Sequence, residues 1–526
     1  MSPTMHSEAK LSLSQKVSRL GSRLKQPEWR RYGAVLALGK VLGIGAVLLI
    51  MQFVTRTCFT HVLAAQAPAT VAAADCVNPI NTTWTLVAAY LVFCMQVGFT
   101  MLEAGFCRSR ETVNVLMECI VDTCLCGILF YAIGFSFMFS HGNGFIGYHW
   151  FFLQNAPQTY EGTGVAFLAF WIFQFAFADT CSTVCSGAMI GRTDFVGDLL
   201  YSLGVSGFIY PIIGHWAWGP DGFLALMGAP GGWLPNLGQP FHDFAGSTVV
   251  HTIGGMIALA GSIALGPRLG RTFKRDGGGP MLPHDLTIAA SGGLLLWFGW
   301  YGFNPGSTLS AMDFVGIGRV SANTTLAACA GGLTAMFAAW IPSKKWDMSF
   351  TVNGFLAGLV AITCPCYWVS PTGAIILGGV AGVVVYLGVE LLEYLRIDDP
   401  IGAVPVHGFA GIWGTWSLGL FACGKYGATG PTGPDNSAPL AGLFYHGGYT
   451  ILKAQIIGNG IITLSTFAVA LVLMYGIHFA TGRLRVSKEG ELYGLDLHEH
   501  GISAYPEYVI SSLGSPAGAP AETIGH

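Results

Sequence analysis

Charge is what this chain has least of. Only 10% of its 526 residues are Asp, Glu, Lys or Arg, and 52% are hydrophobic, where an ordinary soluble domain carries roughly 25% charged residues. So few ionised groups cannot cover a solvated surface, which excludes a water-soluble globule. A basic excess is missing too. The formal net charge of -3 leaves no positive field to hold a phosphate backbone and excludes nucleic acid as a partner. Zinc-type cysteine spacing is absent although there are thirteen cysteines. Near pairs such as Cys364 with Cys366 and Cys181 with Cys185 read as small buried packing residues, so neither a metal nor another cofactor is expected. What the chain has in abundance is apolar runs of about 20 residues, each long enough to cross ~30 Å of hydrocarbon as a helix. It also has 73 glycines, which allow helices to approach closely in a bilayer, where van der Waals contact replaces the hydrophobic drive. The fold class is therefore an all-α polytopic membrane protein in a lipid bilayer.

Residues 1 to 31 are polar and basic, Gly33 to Val54 is apolar, and Leu63-Ala64-Ala65-Gln66-Ala67 supplies a small-residue site. Residues 1–67 thus have the order of a signal peptide, with an uncleaved signal anchor as the alternative because the basic region is long. From Trp84 onward eleven apolar segments follow: 84–105, 113–140, 163–190, 196–218, 243–266, 284–305, 319–341, 350–368, 370–392, 401–424 and 452–479. An odd number puts the two ends on opposite sides. With the N-terminus outside, the inner loops and tail hold Arg108, Arg110, Arg192, Arg268, Arg271, Lys274, Arg275, Lys344, Lys345, Arg396, Arg483, Arg485 and Lys488. The outer loops hold only Arg319, Lys425 and Lys453. Positive residues favour the cytoplasmic side, so the expected topology is multi-pass in the cell membrane with the C-terminus inside.

Histidines inside apolar segments are expensive and mark function. The fifth segment begins Asp243-Phe244-Ala245-Gly246-Ser247-Thr248-Val249-Val250-His251, and the tenth runs from Asp399 to His407. Both read Asp, seven residues, His. The two elements lie five segments apart and enter from opposite faces, which predicts two five-helix halves in inverted pseudo-symmetry plus an eleventh helix. Working sites of such repeats lie near the midplane. Eight residues of helix rise about 12 Å, so the two histidines can meet there. A pair of neutral imidazoles offers one donor and one acceptor to each other and suits a small guest that can take or leave a proton.

DFAGSTVVH at 243–251 and DDPIGAVPVHGFAGIWG at 398–414 resemble the family of ammonium transporters, methylammonium permeases and Rhesus proteins. MLEAG at 101–105, HWAWG at 215–219, WFGWYGFNPGS at 297–307 and GLDLHEHGISAY at 494–505 agree with it. The resemblance covers Trp84 to Tyr505 and is closest to the branch that includes plant transporters. It implies a transmembrane domain over 84–479 and a cytoplasmic regulatory tail over 480–507. It implies His251 and His407 as twin pore histidines, and Trp218, Phe177 and Ser307 as the ammonium recruitment site. Phe177 and Phe303, with Phe173 beside them, become an aromatic gate, and Asp243 a structural or electrostatic support, with Asp399 its counterpart in the second element. It further implies a homotrimer and, in many bacterial members, closure by a P-II type signalling protein. The function expected is passage of ammonium or ammonia into the cytoplasm, not an enzymatic reaction. Chemistry agrees: ammonium has four N–H donors, and aromatic faces with a hydroxyl acceptor suit it.

Two departures stand out. Gly191-Arg192 lacks the acidic residue of the family's A-E-R segment, which predicts a lost loop contact, and His498 replaces a threonine of plant-like tails. Glu489 and Glu491 with Arg483 and Arg485 read as a solvated helix start. Residues 483–505 are expected to pack under a neighbouring subunit, with the loop from Arg268 to Arg275 supplying complementary charge. About twenty Ser-, Pro-, Ala- and Gly-rich residues follow Tyr505; 508–526 reads as disordered. An ammonium sensor acting on a separate partner is the alternative function. Haem ligation by the two histidines is a third idea, disfavoured because it leaves the aromatic gate without purpose.

Overall fold

Each of the eleven apolar segments falls on a helix. The computed structural model describes residues 73–427 and 439–506; the expectations for 1–67 and 508–526 lie outside them. Among the described residues, nine helices are long and apolar enough to cross a bilayer. These are α1 (Cys76–Phe106), α2 (Ser109–Phe139), α3 (Phe167–Gly187), α4 (Phe195–Trp218), α5 (Ser247–Leu265), α6 (Leu286–Thr308), α7 (Phe314–Ser343), α9 (Pro371–Leu395) and α11 (Thr450–Thr481). Two further helices fall outside that set: α8 (Met348–Thr363), with 16 residues, and α10, residues 404–421.

The scarce polar residues start these helices. Asp194, Asp285, Asp313, Asp347 and Ser370 each accept a backbone N–H in the first turn of α4, α6, α7, α8 and α9, satisfying donors that have no partner in hydrocarbon. The first helix is longer than its apolar run because its polar start is used. Asn81 accepts from Ala311 N at 3.1 Å and Thr82 from Ala166 N at 3.0 Å, so this turn holds the loops that precede α7 and α3. Between α2 and α3 sit two antiparallel pairs, Gly142–Asn143 with Ile146–Gly147 and Thr159–Tyr160 with Val165–Ala166. In α3 and α5, 83% of the most apolar window is buried, against 28% in α2 and α11. The former are interior helices and the latter expose wide apolar faces.

The tail docks on its own chain. Residues 484 to 486 run beside 192 to 194, with Asp194 N donating to Leu484 O at 3.2 Å and Val486 N to Arg192 O at 3.0 Å. Two short helices follow, α12 (Lys488–Tyr493) and α13 (Leu495–His500). Glu491 corrects the expectation of a solvated helix start: it is 1% exposed, accepts from Leu269 N at 2.5 Å and pairs with Arg485 at 2.8 Å. Asp496 accepts from Asn114 N at 3.0 Å, and His500 Nε2 meets Asn114 Oδ1 at 2.9 Å. The dock on the 265–269 loop is made to its backbone. Arg268 and Arg271, expected to attract the tail, are instead bound to Asp398.

The missing acid beside Arg192 also has a structural answer. Gly191 has φ +81°, and a Cβ there would lie 2.8 Å from the Glu111 carboxylate. A carboxylate from the first turn of α2 thus occupies the space, and Arg192 donates to the carbonyls of Ile190, Gly266 and Asp398. Burial lowers its guanidinium to a pKa of about 10. His498 is exposed and lies over Gly490, whose added Cβ would meet its ring at 2.5 Å.

Candidate functional site

The two histidine-bearing elements are built alike. Asp243 accepts from the backbone N–H groups of Gly246, Thr248 and Val249 at 2.8 to 3.0 Å. Asp399 accepts from Gly402, Ala403 and Val404 at 2.8 to 3.1 Å. Three residues after each aspartate stands a glycine with positive φ, Gly246 at +113° and Gly402 at +78°. That conformation is strained for a residue with a Cβ. Each element then winds into a π turn, Ser247–Thr252 and Val404–Phe409, which contains the histidine. Such single π turns are frequent at functional sites. The elements touch backbone to backbone, since a Cβ on Gly255 would lie 2.2 Å from Gly408 N.

That approach brings the two imidazoles together. His251 Nδ1 and His407 Nδ1 are 3.2 Å apart, with exposures of 0% and 6%. One Nδ1 must donate and the other accept, so a neutral pair holds opposite tautomers and presents one bare Nε2 and one Nε2–H. His251 Nε2 has no protein partner. The direct contact leaves no room for a macrocycle between the rings, and no cluster of His, Cys, Asp or Glu suited to a metal ion occurs among the described residues.

Above the pair runs a column of rings. His251 stacks on Phe303 at 5.3 Å and on Trp300 at 5.1 Å between centroids, Phe303 on Phe177 at 4.0 Å, and Phe177 meets Trp218 edge-on at 6.1 Å. Phe173 lies 4.7 Å from Phe177. Trp300 is fixed by donating to Thr363 Oγ1 at 3.0 Å. Other aromatics nearby lie outside the column: Phe170 stacks on Tyr160 and Trp171 on Phe175, while Trp416 is 37% exposed.

At the top of the column Phe173, Phe177, Trp218 and Ser307 line one cavity with Gln174, Phe244 and Leu309, of about 10 Å³. That is near the minimum that admits one water-sized guest. Two of its donors are already used. Trp218 Nε1 donates to Asp243 O at 2.7 Å, and Ser307 Oγ to Phe303 O at 2.7 Å. A guest therefore meets aromatic faces and the lone pairs of Ser307, a surface for a small cation carrying N–H groups. Asp243 reaches both ends of the arrangement, since its carboxylate caps the His251 element and its carbonyl holds the Trp218 ring.

On the opposite side, a cavity of about 180 Å³ opens at the start of α10, lined by Arg268, Arg271, Lys274, Asp398 and Asp399 among others. Arg268 holds Asp398 through Nε at 2.8 Å and Nη2 at 2.9 Å. Burial pushes the Asp398 carboxyl up, but Arg268 outweighs it and keeps the group well below the usual carboxylate range.

Several side chains of this region escaped the sequence reading. Gln174 and Phe244 belong to the cavity beside Trp218, and Trp300 to the column. Five buried acids, Glu103, Glu118, Asp122, Asp179 and Asp198, are each no more than 1% exposed. Asn114 donates to Glu118 at 2.8 Å, Ser186 to Glu103 at 3.2 Å, and Tyr201 to Asp198. A search of the apolar segments for acids as well as histidines finds them.

Nine helices among the described residues, long and apolar enough to cross a membrane and packed around a buried ring column that ends on two histidines, define a polytopic membrane protein. The model of the Ammonium Transporter Family matches residues 83–505, and this chain belongs to that family. It is 40% identical to ammonium transporter Amt2 of Archaeoglobus fulgidus over 448 residues, 83% of this chain and 91% of Amt2. With ammonium transporter 1 member 1 of Arabidopsis thaliana it shares 39% identity over 419 residues, 77% of this chain and 81% of the relative. Among solved structures, a Sensor Amt Protein superimposes with TM-score 0.70 at 33% identity, covering 80% of this chain and 98% of its own.

Proposed function

We propose that the chain admits ammonium at the outer cavity of Trp218, Phe177 and Ser307 and passes it as ammonia into the cytoplasm. Phe177 and Phe303, with Phe173, form the gate, and His251 with His407 handles the proton. The observation that carries this reading is the unbroken ring column from Trp218 to the imidazole pair. A hydrated alkali cation cannot shed its charge to enter so apolar a constriction, whereas ammonium can. Asp243 and Asp399 support the site by holding the two histidine elements.

The same reading takes α8 and α10 as membrane-crossing, giving eleven helices in two inverted halves plus α11. It places the N-terminus outside, the C-terminus and residues 480–507 in the cytoplasm, and the transmembrane domain at 84–479, with a signal peptide within 1–67. A homotrimer with one pore per subunit completes it, and a P-II type protein is a candidate partner for the inner face. The likeness to a Sensor Amt Protein supports a second reading, in which ammonium binding is signalled to a separate partner. Current recorded from proteoliposomes after an ammonium pulse separates the two. Saturable current or uptake of labelled methylammonium supports transport. Binding without either leaves only the sensor.

A further inference from the structure

We infer that His215 carries two ring protons, as an imidazolium, and that this charged ring clamps the end of α4 and so positions Trp218 for the incoming ion; this rests on the transport reading above. His215 lies in the last turn of α4, three residues before Trp218, and is fully buried. Its Nδ1 is 2.8 Å from Met138 O and its Nε2 is 2.9 Å from Asn143 O. Carbonyl oxygens only accept, so both ring nitrogens must donate. A neutral imidazole has a single N–H and would turn a lone pair on one of these oxygens at hydrogen-bond distance, which repels.

The surroundings favour the charge. Asp221 is the charged group that faces the ring, 3.2 Å from Nε2, and the C-terminal end of a helix attracts a cation. Of the other elements packed on this end of α4, Phe135–Phe139 and Ile146–Gly147 carry no titratable side chain, α3 brings Asp179, Cys181 and Cys185, α5 brings His251, and α11 brings Lys453, Tyr475 and His478. His141 and Tyr148 flank the hairpin. The same contacts make the ring a clamp. Asp221 also accepts from Gly142 N at 2.7 Å, and Phe223 N donates to Gly144 O at 2.9 Å, so His215 joins the end of α2, the 142–147 hairpin and the 219–224 turn. A Cβ on Gly219 would lie 2.2 Å from Nδ1; the ring is folded against the residue that follows Trp218. Removing one proton breaks one of the two carbonyl bonds and releases the end of α4 on which Trp218 stands.

The test records current from the full-length protein in proteoliposomes with ammonium chloride as the probe, from about pH 5.5 to 8.5, the range in which histidine changes charge. Half-saturation is expressed as the concentration of ammonium ion. In the wild type it should rise about threefold to tenfold toward the alkaline end, as a bond to a charged group is lost. His215→Gln is neutral at every pH and should show the high value throughout, without a pH dependence. Asp221→Asn keeps an acceptor for Gly142 N and removes the charge, so the rise should come at lower pH than in the wild type; a ring that merely packs gives no such displacement. A flat wild-type profile, or a His215→Gln profile that still rises, overturns the proposal. If His215→Gln fails to assemble, Asp221→Asn decides alone, and a rise at the wild-type pH then overturns it. Trp218→Leu is the control for the underlying reading. If it raises half-saturation while the wild-type profile is flat, only the role of His215 falls. If it leaves half-saturation unchanged, recruitment lies elsewhere and both ideas fall.

Discussion

An imidazole that meets another through Nδ1 has its tautomer decided by its partner, and this is the chemical content of the His251 and His407 contact at 3.2 Å. Either ring alone loses that constraint. His251→Ala or His407→Ala should lower ammonium current by about tenfold or more, at least ~1.4 kcal/mol of barrier, and undiminished charge-coupled current in either variant removes the relay role. His251→Asp or His407→Asp should admit potassium, because a carboxylate and its water replace a dry apolar passage. Variants that stay ammonium-selective show that selectivity is set above the pair. At the outer cavity, Trp218→Leu combined with Ser307→Ala removes one ring face and one acceptor. A loss of about 1 to 3 kcal/mol should raise half-saturation by roughly 5- to 150-fold, which a concentration series of currents measures.

The elements show why part of the site was legible in the chain and part was not. Asp243 with His251 and Asp399 with His407 could be read because cap, glycine and histidine recur at the same offsets, and that local chemistry is written within nine consecutive residues. The π turns had no sequence signal of their own, and α1 began before its apolar run because Asn81 and Thr82 bond to loops far along the chain. Trp218, Phe177 and Ser307 were reached by family likeness, since aromatics in apolar segments are usually packing residues. Gln174 and Phe244 were invisible because their meaning depends on which face of α3 or of the α5 entry meets the cavity. Close backbone approach can be tested directly. Gly255→Ala places a Cβ 2.2 Å from Gly408 N, so the two histidine elements must part. It should destabilise the protein by about 1 to 3 kcal/mol, seen as a lower melting temperature in detergent. Gly460→Ala on α11, where an added Cβ meets nothing within 4 Å, should match or exceed wild type.

At the scale of the whole molecule, the face that carries the tail is held by partners distant in sequence, which is why its details were not legible. Asp398 and Arg268 stand 130 positions apart. Their pairing lowers the carboxyl below its unfolded value near 3.9, so its stabilisation is fully present above that value and is lost as pH falls through the folded one. Asp398→Asn should therefore cost about 3 to 5 kcal/mol at pH 7, read as a fall in melting temperature that is constant from pH 5 to 8 and narrows only in strong acid. The tail is different in kind. It rests on a short backbone pairing at 192 to 194, on Asp496 at the start of α2 and on Glu491 at the 265–269 loop, with the more exposed Arg483 pair to Asp194 adding only ~0 to 1 kcal/mol. A few bonds of about 1 kcal/mol each make a dock that can open without unfolding the bundle. Because the dock joins the starts of α2 and α4 to the end of α5, its release is expected to loosen the tail-side end of the helix that carries His251. Truncation after Gly482 should leave a folded protein with reduced current per molecule, while truncation after Glu507 removes none of these contacts and should change little. Full current from the longer truncation, at equal protein in the vesicles, shows that the docked tail takes no part in transport.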